Sequence, residues 1–281
     1  MGSCDLKISQ LLAVYIRHIC VPPGAAISPK GVCFEKSFDG ESVKTPMAHT
    51  GIHRSILNRL SPAEGYRMWA RTYDTDPNPL LALEMRALIG KLDHIGGKVL
   101  LDIACGTARW AAYAAAKGAH AFGADLVPEM LAVAQRKPRI AGRLVQADAH
   151  WLPFTGECAD MVICSFALGY AKDPERLIEE LGRVTKRGGM VIASDLNPQA
   201  LDAGWRRTFQ RGSALFEVEN HSYRYDQLVN AGRCANLELR EVSQPYFGEP
   251  ELAIMRGAGK SELIEKALQV PAILILAWER A

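Results

Sequence analysis

The chain of 281 residues lacks the features that mark several common classes of protein. None of its seven cysteines forms a Cys-x-x-Cys pair, and no metal-ligand spacing accompanies its histidines, which argues against a metal site. The odd number of cysteines favours a reduced, intracellular protein over a secreted disulfide framework. No apolar run approaches the length that crosses a bilayer. We therefore expect a cytoplasmic protein without a membrane span.

The charge pattern indicates which kinds of partner the chain is suited to bind. Formal net charge is +2 at pH 7, and lysine and arginine are spread along the chain without a basic run. This pattern argues against an extended nucleic-acid footprint. Hydrophobic residues make up 48% and charged residues 23%, which is typical of a globular protein with a sizeable core.

The first 46 residues differ from the rest of the chain. They contain Pro22-Pro23-Gly24, Ser28-Pro29 and Asp39-Gly40 and show little periodicity. We expect residues 1–46 to be a poorly ordered extension. Because more regular sequence follows Met47, a second possibility is that translation begins at that methionine.

Strand-like and helix-like segments alternate from residue 98 onward. Strands are expected near 98–103, 119–125, 142–147, 159–165 and 188–195, and helices near 107–117, 128–136 and 173–185. The strands are rich in Val, Ile, Leu and Ala, as expected of strands buried on both faces. The alternation predicts an α/β fold with a doubly wound parallel sheet.

Both flanks of this region carry further elements. Ser61 and Pro62 are typical of a helix start, and a second helix is expected near 79–92. Residues 197–223 interrupt the alternation as an insertion. After it we expect a helix near 222–232, a strand near 236–245, a helix near 259–268 and a final strand at 270–278.

Asp102, Asp125 and Asp148 lie 23 residues apart, each at the end of a short apolar run. The carboxyl ends of parallel strands border the crevice where open α/β sheets bind ligands. Three carboxylates suit a ligand that carries positive charge and free hydroxyls, and they repel a pyrophosphate. Each aspartate taken singly could instead cap the following helix or turn.

The loop from Asp102 to Ala108 is built from small residues. Residues 104, 106 and 108 let a ligand approach the backbone closely, and the helix that follows offers free amide groups. A dinucleotide-binding loop would carry Gly-x-Gly-x-x-Gly, of which only Gly106 is present. The loop therefore argues against a dinucleotide.

The run from Val99 to Phe154 resembles class I S-adenosylmethionine-dependent methyltransferases, in particular the small-molecule enzymes that include quinone-biosynthesis and malonyl-carrier-protein methyltransferases. The resemblance extends more weakly from Tyr66 to Trp278. In the family the loop reads acid-x-Gly-x-Gly-x-Gly, and here Ala104 and Ala108 replace two of the glycines. The resemblance implies a seven-stranded, mostly parallel sheet with a reversed last strand, residues 98–281 as the methyltransferase domain, and S-adenosyl-L-methionine as cofactor.

The resemblance also implies the cofactor contacts. Asp102 would hold the amino-acid end of the cofactor, Asp125 the ribose hydroxyls and Asp148 the adenine amino group. The full implied set is Tyr73, Asp102, Ala104, Cys105, Gly106, Thr107, Asp125, Leu126, Met130, Asp148, Ala149 and Ser165. His150 is expected beside the adenine.

Residues 47–97 would form an N-terminal helical lid by the same resemblance. The segment from Tyr66 to Asp74 is similar to the family's Tyr/Trp-x-x-x-Tyr-Asp entry segment, although Trp69 and Tyr73 could simply be a packing pair on a helix. The expected acceptor contacts are Trp69, Phe166, Tyr170, Asp195 and Tyr223. Amino-methylating nucleic-acid enzymes carry an Asn/Asp-Pro-Pro-aromatic motif after the fourth strand, and its absence here argues against base methylation.

His221 is the main candidate for a general base, because imidazole titrates near neutral pH and related enzymes place this segment over the acceptor. The alternative is a solvent-facing histidine near a helix start. Asp195 and Tyr170 are secondary candidates. Cys164 lies in a strand and is expected to be a core residue rather than a nucleophile.

The predicted activity is transfer of a methyl group to an oxygen or carbon of a small-molecule acceptor. One alternative is a carboxyl or quinol-ring methyltransferase of cofactor biosynthesis. A non-catalytic S-adenosylmethionine binder or partner subunit is another, and a nicotinamide oxidoreductase is a third. The sequence leaves the acceptor and the oligomeric state open.

Overall fold

Strands and helices alternate as expected in the computed structural model, which describes residues 57–281. The strands are β1 (Leu57–Leu60), β2 (Val99–Ile103), β3 (His120–Asp125), β4 (Leu144–Gln146), β5 (Ala159–Ser165), β6 (Thr185–Leu196), β7 (Arg207–Arg211), β8 (Ala214–Val218), β9 (Leu237–Ser243) and β10 (Ile273–Arg280). The helices are α1 (Pro62–Trp69), α2 (Pro79–Leu88), α3 (Arg109–Ala116), α4 (Pro128–Ala134), α5 (Pro174–Val184), α6 (Pro198–Asp202), α7 (Tyr225–Cys234), α8 (Glu249–Gly257) and α9 (Ile264–Ala267). Short 3₁₀ turns lie at Ile89–Leu92, Leu168–Tyr170 and Ser261–Leu263.

Seven strands form one sheet in the order β4-β3-β2-β5-β6-β10-β9. From β4 to β6 neighbouring strands run parallel. β10 runs antiparallel to both β6 and β9. The reversed last strand is therefore present, and the predicted doubly wound, mostly parallel α/β sheet is confirmed.

The centre of this sheet is buried on both faces. β2 is buried from Leu100 to Ile103, and β10 from Ile273 to Trp278. Such strands read as near-continuous apolar runs because neither face meets water. Asp102 is the exception within β2, and it lies near the carboxyl end of the strand.

Several helices begin at the residues that their sequence suggests. Ser61 and Glu64 form a capping box at α1, with Pro62 in the first turn, as predicted. Asn78 caps α2 and Asp173 caps α5, each through a side-chain oxygen that accepts backbone N–H groups.

A second, three-stranded sheet has the order β1-β8-β7 and was not predicted. β7 and β8 form a hairpin within the 197–223 insertion, and β8 pairs in parallel with β1. The expectation that the described part of 47–97 is helical is corrected here, because Leu57–Leu60 is a strand. The residues that pair with β1 lie far along the chain. The local periodicity of the sequence therefore does not predict this pairing.

The predicted helix near 259–268 is also corrected. Gly259 has φ +69°, a left-handed conformation that ends the preceding α8 and interrupts a continuous helix. Only a 3₁₀ turn and the short α9 follow it. The missed α8 begins after Gly248, with Pro250 in its first turn.

The expectations for residues 1–46, and for 47–56 of the lid, lie outside the described residues. Residues 57–281 form one compact unit, so residues 57–97 belong with the sheet. Among the helices of this unit, none has the length and apolar character required to cross a membrane.

Helix α1 packs tightly on the small sheet. Gly65 is buried, and a Cβ at this position would lie 2.7 Å from Cγ2 of Val218 in β8. On the same helix, the Trp69 ring stacks on Phe209 with 5.1 Å between ring centroids. The close approach of α1 to β8 therefore requires glycine.

We expect Gly65→Ala to lower the free energy of unfolding by about 1–3 kcal/mol, because the new methyl overpacks against a stiff β-branched side chain. The matched control is Gly90→Ala, where a Cβ meets nothing within 4 Å. It should be neutral or stabilising by about 0.4–1 kcal/mol. Urea denaturation measures both, and equal effects would contradict tight docking of α1.

Candidate functional site

A cavity of about 1050 Å³, measured with its open mouth, lies at the carboxyl ends of β2, β3 and β5. We call it the first cavity. Every residue predicted to contact the cofactor lines it: Tyr73, Asp102, Ala104, Cys105, Gly106, Thr107, Asp125, Leu126, Met130, Asp148, Ala149 and Ser165. Residues from four strand ends and from the segment after α1 therefore converge on one space.

The loop after β2 has an unusual backbone. Ala104, Gly106 and Ala108 adopt φ values of +53°, +54° and +58°, all in the left-handed region. These are the three positions at which the resembling family carries glycine, and two of them hold alanine here at a conformational cost. A Cβ at Gly106 would lie 3.1 Å from Cε of Met130, so the loop forms a close-fitting cradle.

Asp102 lies beneath this loop and is buried. Its Oδ2 accepts a hydrogen bond of 2.9 Å from the backbone N–H of Ala111 in α3. Burial raises the pKa of the Asp102 carboxyl to about 7, against the opposing effect of the Ala111 N–H. An incoming cation would favour ionisation of this carboxyl.

Asp125 ends β3 and joins two loops. Its carboxylate accepts hydrogen bonds from the backbone N–H groups of Gly106 (2.7 Å) and Val127 (2.8 Å). Burial raises the pKa of Asp125, although these two N–H groups act in the opposite direction. The adjacent Leu126 is half exposed at 51% and offers an apolar surface at the cavity wall.

Asp148 is the most exposed of the three aspartates. Its Oδ1 accepts hydrogen bonds from the backbone N–H of His150 (2.9 Å) and pairs with the His150 ring at 2.6 Å. Partial burial would raise the pKa of Asp148, but the hydrogen bonds to His150 outweigh it and lower the pKa. His150 also lines the first cavity.

Glu84 of α2 is a central residue that sequence reasoning missed. Its fully buried carboxylate accepts hydrogen bonds from Arg109, from Trp110 Nε1 at 3.2 Å, and from the hydroxyls of Ser165 (2.8 Å) and Ser194. These groups come from α3, β5 and β6. Acidic residues are common on helices, so nothing local distinguishes Glu84 in the sequence.

Arg109 was also missed, and it contributes a fixed positive charge to the first cavity. Its guanidinium pairs with Glu84 and lies 4.7 Å from the centroid of the Trp110 ring. Among the described residues that line this cavity, Arg109 is the one lysine or arginine. The first cavity therefore offers carboxylates and one guanidinium.

The segment after α1 is fastened to the cofactor loop. Asp74 accepts a hydrogen bond of 2.6 Å from the Thr107 hydroxyl and forms an ion pair of 2.8 Å with Lys137. Trp69 Nε1 donates to Asp76 at 2.7 Å. These contacts hold Tyr73 against the first cavity.

A second cavity of about 1280 Å³, again measured with its mouth, adjoins the first. Tyr66, Tyr73 and Phe166 line both cavities, and we call these three rings the aromatic partition. Phe166 has φ +52°, a conformation rare for a bulky residue, and its N–H donates to the Ser194 carbonyl at 2.9 Å. Strain of this kind is common at functional sites.

The predicted acceptor contacts separate into two groups. Trp69 lines the second cavity, Phe166 lines both, and Tyr170 lines the first. Tyr170 shares a hydrogen bond of 2.8 Å with Tyr66. Asp195 and Tyr223 line neither cavity.

Asp195 instead supports Arg207 of β7. Its carboxylate pairs with Arg207 at 2.5 Å, and the guanidinium lies 4.8 Å from the Phe166 ring centroid. Burial alone would lower the pKa of Arg207, but Tyr170 and Asp195 outweigh it and raise the pKa. Arg207 therefore lines the second cavity as a charged residue.

His221 lies outside the lining of both cavities. Its side chain is exposed, its backbone N–H donates to the Gly169 carbonyl at 2.7 Å, and its ring lies 6.0 Å from that of Tyr223. Tyr223 in turn donates to the Ala171 carbonyl at 2.5 Å. The roles predicted for His221 and Tyr223 therefore gain no support from this geometry.

Cys164 is buried within β5. Burial raises the pKa of its thiol well above the ordinary value. A thiol held neutral in this way is a core group, in agreement with the expectation from its place in a strand.

Comparison with known proteins identifies relatives of this chain. The family described as methyltransferase domain matches residues 101–193. A demethylmenaquinone methyltransferase of Geobacillus stearothermophilus is 33% identical over 171 residues, which cover 58% of this chain and 70% of that protein. An S-adenosylmethionine-dependent methyltransferase structure from Mesorhizobium loti has a TM-score of 0.58 at 21% identity, with 72% of this chain and 100% of that chain covered.

The chain belongs to the S-adenosylmethionine-dependent methyltransferases of the methyltransferase-domain family. The family predicted from residues 99–154 is confirmed. The chain spans about half the length of many of the curated relatives it matches: 43% for a demethylmenaquinone methyltransferase of Clavibacter sepedonicus that is 38% identical over 107 residues.

The residues present fit the family's cofactor. A nicotinamide dinucleotide would bring its pyrophosphate close to the carboxylate of Asp102, whereas S-adenosylmethionine carries an ammonium, a sulfonium and ribose hydroxyls. Its single carboxylate matches the guanidinium of Arg109. The cradle at Gly106 and the rings of Tyr66 and Tyr73 complete a donor set suited to that molecule.

We expect Ala104→Gly to be neutral or to raise the free energy of unfolding by up to about 1 kcal/mol. The left-handed backbone costs an alanine roughly 1–2 kcal/mol, and glycine removes this cost. Glycine also gives the unfolded chain more conformational entropy, which lowers the stability of the folded state by about 0.4–1 kcal/mol. Ala112→Gly within α3 is the control and should lose about 1 kcal/mol. If Ala104→Gly is the more damaging change, the strain assigned to this loop is absent.

Proposed function

We propose that residues 57–281 bind S-adenosylmethionine in the first cavity and transfer its methyl group to an oxygen or carbon of a small molecule in the second. The observation that best supports this proposal is that the two cavities meet at the aromatic partition. The loop of residues 104–107 lines the first cavity and not the second. A donor and an acceptor bound in these cavities would face each other across Tyr66, Tyr73 and Phe166.

Different residues would hold different parts of the cofactor. Asp102 and Arg109 would bind the ammonium and the carboxylate of the amino-acid end, assisted by the backbone of the 104–107 loop. Asp125 would accept hydrogen bonds from the ribose hydroxyls. Leu126 and Asp148 would contact the adenine, as the resemblance to the family implies.

The bound cofactor would supply a methyl group made electrophilic by an adjacent sulfonium. The rings of Tyr66 and Tyr73 would favour a cation at their faces and exclude water from the point of transfer. Alignment of two reactants can lower a barrier by roughly 7–11 kcal/mol, so positioning alone would supply much of the catalysis.

The described residues that line the second cavity include no carboxylate, imidazole or thiol that could act as a general base. Its lining includes no aspartate, glutamate, histidine or cysteine. Tyr66 and Tyr73 are its tyrosines, and burial raises the pKa of both hydroxyls above the ordinary value. An acceptor that already carries its nucleophile as an anion would need no base.

The names of several relatives suggest a second candidate, methylation of a quinol ring, because they are called demethylmenaquinone methyltransferases. The aromatic walls of the second cavity are compatible with a ring.

We also propose a cytoplasmic location and a small-molecule rather than a nucleic-acid partner.

Calorimetry with S-adenosylhomocysteine and NAD tests the cofactor assignment. We expect S-adenosylhomocysteine to bind and NAD not to bind. Asp125→Ala should weaken S-adenosylhomocysteine by about 1.5–3 kcal/mol through loss of charge-assisted hydrogen bonds. The control Asp226→Ala, an exposed residue of α7 paired with Arg224, should leave the affinity unchanged. NAD binding, or equal affinities for the two variants, would refute the assignment.

The affinity for S-adenosylhomocysteine should also depend on pH. The pKa of Asp102 is raised to about 7, so in the free protein this carboxyl is protonated below that pH and ionised above it. Because the ammonium requires the ionised form, affinity should rise about tenfold from pH 6 to pH 8. Asp102→Asn should bind more weakly and show no rise, and a similar slope in both proteins would assign the effect to another group.

Transfer itself is tested with methyl-labelled S-adenosylmethionine and a metabolite extract. Label should move to a small molecule. Binding of the cofactor without any transfer across a broad extract would favour the alternative of a non-catalytic binder.

A further inference from the structure

We propose that the second cavity takes an organic anion, a small molecule with an apolar body and one negatively charged group. This inference rests on the proposed function and specifies its acceptor class. Two independent features of the cavity support it: the sign of its charged residues and the arrangement of its apolar walls.

The charged residues of the second cavity all have one sign. Arg206, Arg207, Lys260 and Lys266 line it, and no acidic side chain lies among its described lining residues. A cavity lined by one sign of charge raises the local concentration of ligands of opposite charge. The lining therefore selects for an anion.

These four cations differ in how far they are already neutralised. Arg207 is 8% exposed and paired with Asp195, and Arg206 is 4.0 Å from Glu217 and donates to the carbonyls of Leu201 and Trp205. Lys260 and Lys266 are exposed and form no ion pair with an acid of the described residues. Lys260 and Lys266 are therefore the groups that would meet the anion.

Buried Arg207 adds a polar group on the inner side of the cavity. Its Nε is buried and has no hydrogen-bond partner among the described residues, while its Nη2 is held by Asp195. A buried donor without a hydrogen-bond partner costs free energy. A hydrogen bond to an acceptor atom of a bound molecule would offset this cost. The inner end of the acceptor would thus carry an oxygen.

The walls between these groups are apolar. Trp69, Leu81, Phe247, Met255 and Leu263 line the cavity, and the aromatic partition closes its inner side. An apolar body would lie along these walls, with its charged group at the rim.

The test uses three probes with the same body: 4-butylbenzoate, 4-butylbenzamide and 4-butylbenzylamine, which are anionic, neutral and cationic. Calorimetry measures their binding to the protein saturated with S-adenosylhomocysteine. We expect the benzoate to bind about tenfold more tightly than either of the others, the effect of roughly one charge-assisted contact. The benzamide or the benzylamine binding as well as the benzoate would overturn the inference.

The variant Lys260→Gln/Lys266→Gln should lose this preference and leave S-adenosylhomocysteine affinity unchanged, because neither lysine lines the first cavity. The matched control is Lys98→Gln, an exposed lysine just before the amino end of β2, whose carboxyl end borders the first cavity. It should retain the full preference. A double variant that still prefers the benzoate would overturn the assignment of these lysines.

Failure of the two proposals can be told apart. If S-adenosylhomocysteine does not bind, the proposed function fails and this inference fails with it. If S-adenosylhomocysteine binds but no probe does, or the neutral probe is preferred, the acceptor class alone is wrong.

Discussion

The buried carboxylate of Glu84 is the interaction on which the rest of the site depends. It accepts hydrogen bonds from Arg109 at the start of α3, Ser165 at the end of β5 and Ser194 in β6. A charge with no exposure is tolerated only when it is paired and fully hydrogen-bonded. The hydrogen bonds of Glu84 therefore hold α2, α3, β5 and β6 together. They also fix the guanidinium of Arg109 at the wall of the first cavity.

Around this centre, the two cavities have opposite chemistry. The first is lined by carboxylates and the positive φ loop, and the second by cations and apolar side chains. Asp195 belongs to the support of the second cavity, because it keeps Arg207 charged beside Phe166 and Tyr170. A cationic donor and an anionic acceptor would thus each find a complementary wall, separated by the aromatic partition.

The sequence predicted the parts of this structure that follow from chain order. Asp102, Asp125 and Asp148 could be placed together because strand ends of a doubly wound sheet meet at one crevice. Glu84, the Asp195–Arg207 pair and the β1-β8-β7 sheet could not, because each depends on pairing between distant segments with ordinary composition. His221 shows the converse: a residue type suited to catalysis does not by itself indicate where its side chain lies.

In the proposed complex, a methyl donor in the first cavity presents its methyl group to the aromatic partition. Isotope-filtered NMR of the protein with S-adenosylmethionine carrying a ¹³C-labelled methyl group tests it directly. We expect nuclear Overhauser effects from that methyl to ring protons of Tyr66, Tyr73 or Phe166. Effects confined to Leu126 and the Asp148–His150 segment would contradict it, because the methyl group would then lie at the opposite end of the cavity.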